Sequence, residues 1–446
     1  MKLSKIQASL MAAAAMTMPG CTSYEIDMPE NPEPAVGHEV STMVVYEANP
    51  RLFSQNNECF PKLTERLDNI ASMGCDVIWI MPIYEAGELE SFGSPYCIRD
   101  FKKLNSKIGT ADQFKSLVDK AHGLGMKVML DWVANHTSWD NAWIKDHPDW
   151  YKHDENNHIV SPDNWPDVAQ LDYSNADVAA AMQDAMLYWV NTYGIDGFRC
   201  DYADGVPESF WTSTIEKIHA VNEDFIMLAE SANTNFFNCG FTWVYDWNSG
   251  STVSGAFTGG KASEVVSEAA SALSNLPEGK SMLRFVFNHD TASENAVDNM
   301  FGSVEAIPAA YVAVSMLGGT PLMYTTMEIA GLTGAQSFFD YKDFSASDFS
   351  AALAAEYGAI NKAFKASAEV RRGVLADYST KDVVCFTRSI PGQTLLVAVN
   401  TTGSVQTVRT PISFSEATMT DLIENKAVTV PMTIELQPYA YTILMN

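Results

Sequence analysis

Positive charge is scarce in this chain. Its 446 residues carry 28 Lys and Arg against 55 Asp and Glu, a formal net charge of -27. A nucleic-acid partner requires a basic footprint, so the balance argues against that class of function. Surplus acid suits a soluble chain with a neutral ligand, and it is also an ordinary solubility trait. The seven cysteines show no CxxC or other metal-ligand spacing. Cys75, Cys97, Cys200 and Cys385 fall in or beside apolar segments and read as buried free thiols. A disulfide involving Cys59 or Cys239 stays open, since export would permit one. Long apolar runs are missing as well. The nearest, 306–324, has no charge but is broken by Pro308, Gly318, Gly319 and Pro321. It reads as a buried helix followed by a strand, not as a membrane span. No glycine-rich phosphate loop follows the first strand-like run, which leaves an open nucleotide-binding sheet without support. Internal repeats and low-complexity tracts are absent.

The N-terminus carries its own pattern. Lys2 and Lys5 precede a short apolar stretch, 10–18, which ends in Met18-Pro19-Gly20-Cys21. The stretch is too short to cross a bilayer. It resembles a bacterial lipoprotein signal, with 1–20 as the signal peptide and Cys21 as the lipidated first residue of the mature chain. A simple cleaved secretory signal is the alternative. Residues 21–41, with Pro29, Pro32, Pro34 and several acids, read as an extended tether. The expectation is an exported protein that meets a periplasmic or cell-surface membrane only through this anchor.

Between 42 and 372 short apolar runs alternate with longer amphipathic stretches. The runs are 43–46, 77–82, 127–131, 197–201, 225–230, 241–245, 283–287 and 320–324. Helix-like segments such as 111–124 and 177–193 lie between them. This α/β alternation predicts a (β/α)8 barrel closed from parallel strands. The longest interruption, 138–175, carries Trp139, Trp143, Trp150, Tyr151 and Trp165. It reads as an inserted lobe whose rings either stack on sugar or form a local core. From 373 to 446 the texture turns β-rich, at 382–389, 394–400, 406–410 and 433–444, and predicts a C-terminal antiparallel β-sandwich domain.

In a parallel barrel the loops after the strands form the active face, so chemistry-bearing residues at strand ends are the candidates. Asp201 ends the fourth run and Glu230 the fifth. Adjacent strands lie about 4.8 Å apart. Two carboxylates about 5–5.5 Å apart are the equipment for cutting a glycosidic bond with retention of configuration. Arg199 lies two residues before Asp201, on the same strand face, where a guanidinium favours a charged carboxylate. Glu230 follows Ile226-Met227-Leu228-Ala229, an apolar setting that favours a protonated acid.

The ordered set then shows a resemblance. DWVANH at 131–136, GFRCD at 197–201, Glu230 and FNHD at 287–290 resemble the four sequence regions of the alpha-amylase family of glycoside hydrolases. Gly93-Ser94-Pro95-Tyr96 and Gly319-Thr320-Pro321 extend the likeness, which covers roughly 42–446. The resemblance implies Asp201 as nucleophile, Glu230 as acid/base, and Asp290 as the group that holds the sugar's hydroxyls and favours its distortion. It implies that His136 and His289 donate hydrogen bonds to that sugar, with Arg199 beside the nucleophile and Tyr96 stacked beneath the ring.

The chain departs from the pattern in three places. Tyr202-Ala203-Asp204-Gly205 stands where many members have a Lys-His pair. Gln170, within 168–172, stands where a calcium-binding Asp is common, which leaves Asn135 as a possible ligand. Thr325-Thr326-Met327-Glu328 replaces a commoner Asn-Gly-Gln-Glu. No cofactor is then required, and any calcium site is weak. The expected function is retaining hydrolysis of alpha-glucosidic, foremost alpha-1,4, bonds in starch or maltooligosaccharides. A transglycosylase or an alpha-1,6-acting member is the alternative. A catalytically inactive surface glucan-binding protein is the second.

Overall fold

A computed structural model describes residues 42–446 apart from residue 163. The predicted signal peptide, Cys21 and the tether lie outside the described residues. Eight parallel strands close into a barrel in chain order, the last pairing with the first. They are Val45–Ala48, Val77–Ile80, Lys127–Val133, Gly197–Asp201, Ile226–Ala229, Trp243–Tyr245, Ser281–Phe285 and Thr320–Tyr324. Each corresponds to one of the eight apolar runs. Both faces of these strands are buried, because helices cover the outside and side chains fill the inside, so the runs lack polar alternation.

Alternate residues point inward. Val45, Val77, Met129, Ile226, Leu228, Trp243, Leu283, Phe285 and Leu322 pack the interior. One step higher the interior changes character. Glu47, Asp131 and Arg199 are all fully buried there, and Asp131 and Arg199 are register partners on adjacent strands. The C-terminal end of the barrel is thus plugged by charge instead of hydrocarbon.

The uncharged segment 306–324 resolves as expected into the buried helix Ile307–Ser315 and the eighth strand. Gly318 and Gly319 make the turn between them at φ 123° and 82°. At Gly319 a Cβ would lie 2.8 Å from the Met282 carbonyl, so the turn needs glycine twice over. No helix among the described residues is long and apolar enough to cross a membrane. Cys59, Cys75, Cys97, Cys200, Cys239 and Cys385 are free and buried.

Two excursions at the C-terminal end of the barrel shape the site. After the second strand, the hairpin Tyr84–Ala86 with Ile98–Leu104 carries the loop that holds Tyr96. After the third, His136–Ser138 pairs antiparallel with Val168–Gln170, His136 opposite Gln170. Between those two strands lie the short helix Ala142–Asp146 and the lobe's tryptophans.

The C-terminal region forms a six-stranded antiparallel sheet backed by a two-stranded one. Two of the predicted runs become Val383–Ile390 and Gln393–Asn400. The expected run 433–444 is two strands, Thr433–Leu436 and Tyr441–Met445, which join different sheets. Pro438 between them cannot donate to a ladder. Val374–Asp377, Thr418–Asp421 and Lys426–Thr429 are additional strands, too short and polar to show in the pattern. Arg388 ties this sheet to the barrel by donating to the Leu317 carbonyl at 2.7 Å and the Gly373 carbonyl at 3.2 Å.

Candidate active site

The site is built around one guanidinium. Arg199 rises from the fourth strand and is completely buried. Its Nη1 donates to Asp201 Oδ1 and to Asp131 Oδ1, each at 2.8 Å. Its Nη2 lies 2.7 Å from Glu230 Oε1. Its Nε donates to the Tyr245 hydroxyl at 3.3 Å. The nitrogens of one rigid fork therefore set the spacing of three carboxylates. Burial alone would lower the arginine's pKa, but Asp131 and Glu230 hold it well above its usual value. Removing such a hub leaves buried acid uncompensated, at a cost of about 3–5 kcal/mol.

Asp201 and Glu230 follow from strand geometry. Asp201 is the last residue of its strand, two steps beyond Arg199 and on the same face. Glu230 extends the fifth strand, its amide donating to the Cys200 carbonyl at 3.0 Å. The Tyr202 amide in turn donates to Glu230 Oε2 at 2.6 Å. That contact depends on a left-handed turn, with Tyr202 at φ 40°. Burial pushes the Glu230 carboxyl up to about 8; Arg199 opposes this, and Asp201 and Asp290 reinforce it. Asp131 lies deeper, and burial raises it to about 6 against the pull of Arg199.

Asn288 caps the short helix His289–Glu294, accepting from the Thr291 amide at 3.0 Å. The cap places His289 and Asp290 in the first turn, over the end of the seventh strand. His289 Nε2 lies 3.2 Å from Asp290 Oδ1 and 2.7 Å from the Tyr96 hydroxyl. Its Nδ1 meets Glu47 Oε1. Burial would lower the His289 pKa, but the Asp290 and Glu47 carboxylates raise it to about 9. Tyr96 stacks against His289 with centroids 5.7 Å apart and also donates to Asp131 Oδ2 at 3.1 Å.

His136 lies beside Asp201 and the Tyr96 backbone. It is buried, and burial lowers its pKa toward the neutral ring. Trp165 meets it edge-on at 5.8 Å and meets Tyr202 at 4.9 Å. The lobe thus divides its aromatics. Trp143 and Trp150 pack on each other at 5.0 Å and Tyr151 is buried, which makes a local core. Trp165, 38% exposed, faces the site.

The structure brings Asp201, Glu230, Asp290, Arg199, His289, Tyr96 and His136 to one end of the barrel. Glu47, Trp79, Tyr245 and Phe338 join them without having been read from the sequence. Trp79 donates to Asp131 Oδ2 at 3.2 Å, and Phe338 sits edge-on to His289 at 5.1 Å. Glu328 is elsewhere. It is buried between the Tyr46 hydroxyl and Arg66, and binds the eighth strand's end to the helix Cys59–Ser72.

Asn135 and Gln170 are the neutral amides beside His136. Asn135 Nδ2 lies 3.3 Å from His136 Nδ1. Gln170 pairs with His136 across the hairpin, and Asp172 accepts the Ser174 amide at 3.0 Å. Among the described residues no three His, Cys, Asp or Glu side chains converge on a metal-sized site. Calcium prefers charged oxygens; Asn135 and Gln170 are neutral amides, and Asp172 is the carboxylate of this loop.

Comparison with known proteins agrees with this geometry. Residues 61–168 match the model of the alpha amylase catalytic domain. Alpha-amylase MalA of Haloarcula japonica is 29% identical over 64% of this chain and 44% of its own. The oligo-1,6-glucosidase of Heyndrickxia coagulans is 29% identical over 35% of this chain and 34% of its own. The chain therefore spans less than half the length of these curated relatives. A solved alpha-amylase from Lactobacillus plantarum superposes over 91% of this chain and 99% of its own, with a TM-score of 0.78 and 26% identity. A barrel of this topology, a charged site at the ends of its strands and likeness over nearly the whole of a solved alpha-amylase lead to one statement: the chain has the alpha-amylase fold, and its residues 61–168 match the alpha amylase catalytic domain of glycoside hydrolases.

Proposed function

We propose that the chain hydrolyses alpha-glucosidic bonds, foremost alpha-1,4 bonds of starch or maltooligosaccharides, with retention of configuration. The observation that carries this reading is Arg199 held between Asp201 and Glu230, one nitrogen on each. One guanidinium touching both carboxylates keeps them close together, as a retaining mechanism with carboxyl groups about 5–5.5 Å apart requires. The environments differ, and so do the roles. Glu230, pushed up to about 8 by burial, keeps a proton at neutral pH. It gives that proton to the glycosidic oxygen as Asp201 bonds to the anomeric carbon and the leaving sugar departs as an alcohol. Water then gives a proton to Glu230 and its hydroxyl to the anomeric carbon, which frees Asp201. Asp290 and the cationic His289 hold the sugar in the cleaved subsite, with His136 beside Asp201 and Tyr96 beneath.

Trp165 and Tyr202 line the leaving-group side in place of the Lys-His pair. A relative named as an oligo-1,6-glucosidase makes alpha-1,6 action the second reading. Release of reducing ends from soluble starch, compared with release from isomaltose and panose, separates the two. The first-formed anomer, followed by proton NMR, tests retention. Transfer to an added sugar acceptor tests transglycosylation. No release from any alpha-glucan refutes hydrolysis and leaves the glucan-binding alternative. The proposal includes lipid anchoring of an exported chain through Cys21.

A further inference from the structure

Glu47 belongs to none of the motifs that carry the family resemblance, yet it sits under the site. It is the third residue of the first strand, paired in register with Trp79 and Tyr324, so its side chain enters the barrel. We propose that Glu47 is a positioning residue which, through His289, sets the orientation and the charge of the imidazole facing the sugar in the cleaved subsite. This rests on the reading that a sugar binds there.

Glu47 Oε1 meets His289 Nδ1, while His289 Nε2 is flanked by the Tyr96 hydroxyl and Asp290 Oδ1. An imidazole with a carboxylate at each nitrogen donates from both only as a cation. Rotation is blocked. Trp79 meets the ring edge-on at 5.8 Å, Phe338 does so at 5.1 Å, and Tyr96 stacks on it.

Glu47 itself is fully buried, and its Oε2 has no hydrogen-bond partner among the described residues. A half-satisfied buried carboxylate is costly, and a packing role alone would be met at less cost by an amide or an apolar group. What the carboxylate supplies and those groups do not is negative charge against the buried ring.

The charged and titratable groups around His289 come from several elements. Glu47 faces it from the first strand, Asp131 from the third, Arg199 from the fourth and Asp290 from its own helix, with Tyr96 on the loop after the second strand. Three carboxylates and one guanidinium leave the balance negative, which favours the cation; burial opposes it. The ring's raised value of about 9 agrees with that balance. With Glu47 neutralised, the ring loses its proton at lower pH. A neutral ring that keeps its Nδ1 proton for the first-strand side chain has none on Nε2 to donate, so sugar binding weakens.

The test is Glu47→Gln in the full chain. The amide oxygen still accepts from Nδ1, so shape is kept and charge removed. Two readouts apply. One is KM and kcat on a maltooligosaccharide across pH 5 to 9. The other is the titration of His289 by nitrogen–proton NMR on histidine-labelled protein, assigned by loss of the signal in His289→Gln. An opposite charge at contact shifts a pKa by about 1–3 units. The expected result is a His289 midpoint lower by about one unit or more, with KM rising correspondingly earlier. At pH 5.5, where the ring is protonated in both forms, kcat stays within about threefold. Glu47→Asp keeps the charge and should restore most of the midpoint. Unchanged midpoints in Glu47→Gln, or a fall in Glu47→Asp as large as in Glu47→Gln, overturns the proposal. Should the wild-type chain hydrolyse no glucan, the proposed activity fails, while the NMR midpoints still decide whether Glu47 controls His289.

Discussion

Glu230→Gln exposes the acid through stability as well as through rate. Burial pushes the Glu230 carboxyl from 4.5 to about 8, with Asp201 and Asp290 adding to the rise and Arg199 opposing it. The sign follows from proton counts. Between these two values the folded chain keeps a proton that the unfolded chain has released, so stability falls as pH rises through that window. Each pH unit costs up to about 1.4 kcal/mol, hence about 3 kcal/mol by pH 7. Glutamine has no proton to lose and escapes this slope. It carries its own cost. Glu230 Oε2 accepts from the Tyr202 amide and Oε1 pairs with Arg199 Nη2 at 2.7 Å; an amide nitrogen can serve neither contact, so one is lost at about 1–3 kcal/mol. The variant should therefore be less stable than wild type at pH 5, with the gap closing or reversing by pH 7.5. Urea unfolding of both proteins at pH 5, 6, 7 and 8 reads this as a difference, which cancels the titrating groups remote from Glu230. A difference flat with pH to within about 0.5 kcal/mol would refute a proton held on Glu230 in the fold. In the same variant, hydrolysis of unactivated glucans should drop about 10²–10⁴-fold, and glycosylation by activated aryl glycosides much less. Wild-type activity should fall as pH rises through about 8, as Glu230 loses its proton.

Asp201→Asn should leave the fold intact and abolish hydrolysis, because the amide cannot form the glycosyl ester; more than a few per cent of residual activity, with deamidation excluded by mass spectrometry, rejects the nucleophile. Gly205→Ala should cost about 1–3 kcal/mol and raise KM, since its Cβ would lie 2.5 Å from Asn135 Oδ1 and 2.6 Å from the Tyr202 ring; an unchanged melting temperature and KM would show that the turn has room. Chelation should leave melting temperature and activity nearly unchanged, because Asn135 and Gln170 offer neutral amides where a hard cation prefers carboxylates; a large drop reversed only by calcium contradicts this. Cys21→Ser should move the mature chain from membranes to the soluble exported fraction, as fractionation and immunoblotting would show; wild-type protein that is already wholly soluble counts against lipidation.

How much the sequence disclosed depends on how each residue is buried. The eight barrel strands were legible because covering on both faces turns them into apolar runs. Asp201 and Glu230 were legible because each closes such a run, and His136, His289 and Asp290 because each follows one within a few residues, in a recognisable order. Glu47 was not. It is an acid inside a four-residue strand, Val45–Ala48, where a single charge reads as an edge position. Asp131 was visible within its motif, but its part in bridging Arg199, Trp79 and Tyr96 comes from inter-strand register. Phe338 lies in a stretch without regular periodicity, and nothing local marks it as a neighbour of His289. The three unpredicted C-terminal strands have four residues each, which is shorter than any reliable alternation. Trp165 could be listed among the lobe's rings but not separated from those that form its core. That distinction depends on which ring remains exposed.

The hairpin that joins His136 to Gln170 gives the molecule a seam between what is fixed and what is free to vary. His136 follows the third strand and also opens the inserted lobe. The described residues from 139 to 167 lie between the hairpin's two strands, including Trp165 against His136 and Tyr202. Descendants of this gene can therefore lengthen, shorten or rewrite the lobe, trying new leaving-group walls against an unaltered bond-breaking apparatus. The freedom ends at the seam, because a slip of one residue there turns every side chain of the pair to the opposite face. Novelty in substrate preference is cheap inside the lobe, and a single-residue deletion beside Gln170 is where such exploration would stop.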